Sequence, residues 1–203
     1  MLEKINYLTA GESHGRGLLG IIEGIPSNLE IDENFIREQL SRRQKGYGRG
    51  SRMKIESDFA QIYCGVRHGI TIGAPIGLII ENKDSQNWED AMSVHKNNYN
   101  RKITLPRPGH ADLAGVLKYG FDDIRNVIER SSARETAMRV AIGAICRKFL
   151  TELNIDICSR VVQIFNIIDK SQIDTDLSYE KINELADQSS VRCLDKDKEK
   201  KMI

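Results

Sequence analysis

The sequence predicts an α+β domain, and three observations carry that expectation. A β-branched apolar run, GLLGIIEGI at 17–25, has the composition of a buried strand. Strand-like segments also fill 54–82, and a long helical repeat occupies 132–153. These elements do not alternate as strand–helix–strand, which excludes a doubly wound parallel sheet. With 203 residues, 40% hydrophobic and 29% charged, the chain has enough apolar surface to bury one core.

Taken in order, the strand at 17–25 stops at Pro26. Asp32 is placed to cap a helix through ENFIREQLSRR, with Phe35, Ile36 and Leu40 on its apolar face. KGYGRGS (45–51) is too glycine-rich for regular structure. MKIESD, FAQIYCGV and IGAPIGLIIEN then read as strands, and Arg67-His68-Gly69 between the last two makes a β-hairpin or meander the natural connection. Residues 83–109 are polar and irregular. They hold the one tryptophan, Trp88, which the sequence leaves free to pack on a core edge or stack on a ligand.

From Ser132 to Leu153, Ala137, Val140, Ala141, Ala144, Ile145, Lys148 and Phe149 recur at threes and fours. After Asn154, alternation in IDICSRVVQIF predicts another strand. LDKDKEKKMI reads as the start of a helix with nothing to close it, so the expectation is one domain, 1–203, cut short at its C-terminal end.

The net charge of +1 gives the whole molecule no pull toward nucleic acid or membrane. Cys64, Cys146, Cys158 and Cys193 lack metal-ligand spacing; Cys64 and Cys146 read as small core residues. With no signal peptide and no run of ~20 apolar residues, the expectation is a soluble, reduced, cytoplasmic protein.

Four segments can carry chemistry. Gly11-Glu12-Ser13-His14-Gly15 holds an imidazole between glycines, fit for proton transfer or for nothing more than a surface loop. Between Arg42 and Lys54 lie six basic residues and three glycines without an acid. Such a loop suits a phosphorylated or carboxylated metabolite, a nucleic-acid backbone, or simply a solvated face. In Arg107-Pro108-Gly109-His110-Ala111-Asp112, Asp112 either orients His110 or caps the short apolar segment after it. Ser132-x-x-Glu135 is a capping box, and its free amides with Arg130 and Arg134 make a candidate anion site or only a capped helix start. His68 and His95 read as structural.

Four longer blocks make these segments specific. GESHGRGLLGIIEGIP (11–26), RRQKGYGRGSRMKIESD (42–58), KITLPRPGHADLAGVLKYGFDDIRN (102–126) and ERSSARETAMRVAIGAI (129–145) together resemble the chorismate synthases. The resemblance implies a β-α-β sandwich with its C-terminal part missing, a homotetramer, and no nucleic-acid or membrane partner. It implies a lyase of the shikimate pathway that removes phosphate from 5-enolpyruvylshikimate 3-phosphate by 1,4-anti elimination, with reduced FMN as cofactor and NADPH as flavin reductant in some members. His14 resembles the acid for the leaving phosphate and His110 the histidine beside the flavin. Arg43, Arg49, Arg52, Arg107 and Arg134 resemble substrate-gripping arginines, and Arg43 and Arg49 also match positions tied to NADPH. Arg130, Ser131 and Ser132 resemble a flavin-contacting triplet. The family's third signature carries an arginine and an aspartate that have no counterpart before Ile203, so the chain alone is expected to be inactive. The alternative is a nucleic-acid-binding module built on the Arg42–Lys54 loop.

Overall fold

The computed structural model describes residues 4–49, 57–173 and 176–203. Most of the MKIESD segment, and Arg52, lie outside the described residues.

A four-stranded antiparallel sheet organises the chain. β1 (Asn6–Gly11) and β2 (Gly17–Glu23) form a hairpin, β6 (Ile76–Glu81) pairs with β2, and β3 (Ala60–Cys64) forms the far edge, in the order β1-β2-β6-β3. Alternation decides the faces. Leu18, Gly20 and Ile22 of β2 sit opposite Ile80, Leu78 and Ile76 of β6, and all six are buried. Leu19 and Ile21 point the other way, and with Leu8 of β1 they leave an apolar stripe in the open.

The inner face is covered by α1 (Glu33–Gln44) and α4 (Thr136–Thr151). Asp32 caps α1 by accepting from the Phe35 amide at 2.9 Å, as expected. Ile36 and Leu40 are fully buried, as are Ala137, Met138, Ala141 and Ile145 of α4. Each large side chain in this core stabilises by about 1.5–3 kcal/mol relative to exposure. Gly20 allows the close approach of α4 to the sheet: a Cβ there would meet Met138 Sδ at 2.4 Å.

β4 (Val66–Arg67) and β5 (Ile70–Thr71) form a small ribbon. Its two-residue turn places His68 and Gly69 at φ 53° and 76°, the positive pair that a type I′ hairpin needs. The polar stretch holds one 3-10 turn, Lys83–Trp88. Two short helices follow, α2 (Asp112–Tyr119) and α3 (Arg125–Arg130).

The strand expected after Asn154 is not formed over most of its length. Only Gln163–Ile164 (β7) pairs, with Ile167–Ile168 (β8). The preceding amides find irregular partners instead: Val161 N donates to Arg192 O at 2.9 Å and Ser159 N to Asn183 Oδ1 at 3.3 Å. Those acceptors belong to a segment containing α5 (Tyr179–Asp187) and α6 (Lys196–Met202). Cys64 corrects another expectation, since it is exposed at the sheet edge; Cys146 is half-buried, and all four thiols are free.

Candidate active site

His14 stands in the loop joining β1 to β2, and Asn82 holds that loop in shape. The buried Asn82 side chain donates to Glu12 O at 3.0 Å and Gly15 O at 2.8 Å, while the Asn82 backbone amide donates to Arg16 O at 3.0 Å. These bonds satisfy backbone carbonyls that a tight loop leaves without ladder partners.

The imidazole is then gripped from α3. Its Nδ1 lies 2.9 and 3.0 Å from the two oxygens of Glu129, and the His14 backbone amide donates to Glu129 Oε2 at 2.8 Å. Glu129 is 2% exposed. Arg125 Nη1 approaches the same carboxylate at 3.8 Å. Trp88 lies against the His14 ring with centroids 4.1 Å apart, and Arg125 in turn lies over Trp88. The tryptophan therefore packs on the candidate acid.

The arginines take different positions. Arg134 is buried: Nε donates to Asn82 Oδ1 at 2.8 Å, Nη1 pairs with Asp58, and Nη2 reaches Glu81 O at 3.3 Å. Arg43 donates to the other oxygen of Asp58 at 3.1 Å and to Ala133 O; burial pulls its pKa below the usual arginine value, ahead of the opposing effect of Asp58. Arg43 and Arg49 line a basic cleft of about 740 Å³ between α1 and α4, together with Arg139, Arg147 and Arg192. His14 instead lines a separate cavity of about 940 Å³ with Arg16, Glu81 and Asp90. His95, read as structural, also faces that cavity.

The capping box is half made. Ser132 Oγ accepts from the Arg134 amide at 3.2 Å and donates to Ser13 Oγ at 2.9 Å. Glu135 does not return to Ser132; it accepts from Thr9 Oγ1 at 2.7 Å and from Arg139 Nε. Arg130 donates to Thr9 O at 2.9 Å. Ser131 Oγ is buried without a hydrogen-bond partner, and Ser131 and Arg130 line an apolar pocket of about 360 Å³ with Tyr119 and Phe121.

His110 is on an exposed turn. Asp112 neither caps α2 nor takes the His110 imidazole. It is fully buried and accepts from Arg107 Nε, Nη2 and the backbone amide, each at 2.9 Å. The hydrogen bonds from the Arg107 side chain, ahead of the opposing cost of burial, bring its carboxyl down to about 2. Arg107 itself stays 41% exposed, still open to an anion.

Nothing in the sequence alone assigned a role to Glu129, Asn82, Asp58 or Arg125. Glu129 lies inside one of the four long blocks, but the residue it holds is 115 positions away, and no local pattern marks such a pair. No group of acids, histidines or cysteines among the described residues is arranged to hold a metal.

Residues 5–203 match the family model described as chorismate synthase. A chorismate synthase of Listeria welshimeri is 49% identical over 98% of this chain and 52% of the relative. One of Alkaliphilus metalliredigens is 53% identical over 97% of this chain and 51% of the relative. A crystal structure of chorismate synthase superimposes with a TM-score of 0.72 at 40% identity, covering 99% of this chain and 52% of the other. The chain thus spans about half the length of the curated relatives it matches.

Proposed function

The chain belongs to the chorismate synthase family, and from that premise we propose that it supplies the proton-donating half of a phosphate-eliminating site. The substrate is 5-enolpyruvylshikimate 3-phosphate, the product chorismate, and the reaction a 1,4-anti elimination. The observation that carries this reading is the grip of buried Glu129 on His14 at the edge of a cavity. In that arrangement Nδ1 stays engaged, and Nε2 gives its proton to an oxygen of the departing phosphate, leaving a neutral ring.

The cofactor would be reduced FMN, and the orphan Ser131 hydroxyl beside Arg130, in a pocket with aromatic walls, fits such a group. Arg130, Ser131, Ser132 and His110 would hold it. When bound, it supplies electron density to the ring losing phosphate. Arg43 and Arg49 suit the phosphates of substrate or NADPH, because fixed guanidinium groups match anionic oxygens. Arg107 would grip a substrate anion from its Asp112 anchor. Arg134 would act from behind, through Asp58 and Asn82. The exposed Leu8, Leu19 and Ile21 stripe agrees with burial in a homotetramer, and four free thiols agree with a reducing cytoplasm. We read residues 1–203 as one domain.

The test is phosphate release by the protein that carries this chain. Release is expected only with reduced flavin; release without flavin, or none with it, overturns the reading. Nucleic-acid binding that weakened steeply with salt would favour the Arg42–Lys54 loop as an interface instead.

A further inference from the structure

We propose that Glu129 is the positioning residue for His14, holding a ring proton on Nδ1 so that Nε2 is the nitrogen offered to the cavity. The proposal rests on the reading of His14 as the proton donor. Its physical content can be measured without that reaction.

A carboxylate only accepts hydrogen bonds, and both of its oxygens lie within 3.0 Å of Nδ1. The same group takes the His14 backbone amide at 2.8 Å, and the Glu129 carbonyl takes the Ser13 amide at 3.0 Å. Three bonds from two adjacent loop residues therefore end on one residue of α3. They fix the place of the ring as well as its tautomer. Trp88 at 4.1 Å closes one ring face.

A buried acid without a positive partner would be costly. Here Arg125 provides one at 3.8 Å and is itself held over the rings of Trp88 and Tyr99, at 5.4 and 5.8 Å. The order is Arg125, Glu129, His14, cavity. Through it, a proton leaving Nε2 leaves behind a ring still correctly tautomerised and aimed.

Glutamine at this position makes a sharp probe. It replaces one of the two acceptor oxygens beside Nδ1 with an NH2 donor. With its oxygen at the Oε2 place, kept by the His14 backbone amide, the NH2 stands at the Oε1 place, the nearer to Nδ1, where it opposes a ring N–H and shifts the proton toward Nε2. The experiment follows imidazole nitrogen signals in this chain, with His14 assigned by its loss in His14→Gln. The wild type is expected to show the Nδ1–H form, Glu129→Gln a shift to Nε2–H, and Glu129→Asp the wild-type form. In the protein that carries this chain, Glu129→Gln should lower kcat ~10²-fold or more with KM within about threefold, and Glu129→Asp should recover much of the loss.

An Nε2–H ring in the wild type, or full kcat in Glu129→Gln, would overturn the proposal. If Glu129→Gln fails to fold, by far-UV circular dichroism, the wild-type and Glu129→Asp tautomers decide alone. Should the wild type release no phosphate yet show an Nδ1–H signal that Glu129→Gln abolishes, the positioning stands and the lyase reading falls.

Discussion

Arg134 Nε donates to Asn82 Oδ1 at 2.8 Å, and the amide nitrogen of the same Asn82 side chain holds the carbonyls of Glu12 and Gly15. One buried amide thus joins the turn that leads into α4 to the loop that carries His14. Asn82→Ala would leave a buried guanidinium and two loop carbonyls short of partners, a loss of ~1–3 kcal/mol. Urea unfolding measures it. Asn82→Asp keeps the acceptor for Arg134 but removes both donors to the loop. It should therefore disturb the His14 signals even if stability is largely kept.

His14→Ala and His110→Ala, made in the protein that carries this chain, should each slow phosphate release by ~10²–10⁴-fold, the usual contribution of a general acid or base. Stopped-flow turnover with reduced flavin is the measurement. A loss under threefold would reduce either histidine to a structural role.

Asp112 makes a pH-dependent contribution whose sign is fixed by its partner. Its folded pKa is depressed to about 2 by Arg107, against about 3.9 in an unfolded chain. The stability it contributes is therefore present in full above pH ~4 and is lost as pH falls through ~2. The stability difference between wild type and Asp112→Asn should shrink over that window. In Arg107→Ala, the Asp112 carboxyl should titrate closer to the ordinary aspartate range, as carbon-detected NMR can show.

Asp169 anchors the C-terminal segment. Burial opposes its charge, but donors from Ser171, the Leu194 amide and the Cys193 thiol outweigh that cost and hold its pKa well below the usual range. Arg160 adds an ion pair at 3.1 Å. Removing the carboxylate in Asp169→Ala leaves Arg160 short of its counter-charge, with an expected loss of ~3–5 kcal/mol. Hydrogen exchange should localise the loosening to 155–203 before it reaches the four-stranded sheet.

Much of the fold can be read in local pattern. The Asp32 cap, the buried side of α1 and the long α4 follow from periodicity and capping, because each depends on neighbours three or four residues away. The hairpin at His68-Gly69 is visible because its turn makes a demand on backbone torsion at two adjacent residues. β1 escapes such a reading, since Asn6 to Gly11 lies exposed at a sheet edge and carries little apolar alternation. The strand expected after Asn154 failed for a different reason. Its alternation is real, but Arg192 and Asn183 take its hydrogen bonds, and both lie far along the chain.

The site divides in the same way. By itself the sequence determined which blocks carry histidine, arginine and glycine, and their order places the chain among the chorismate synthases. Only the tertiary structure decided what each group faces: Glu129 on His14, Asp112 on Arg107, and Asp58 between Arg43 and Arg134. The physical reason is range. Helix caps and strand alternation are set over a few residues, whereas a buried charge takes whichever partner packing brings to it, here across 115 positions for His14 and Glu129.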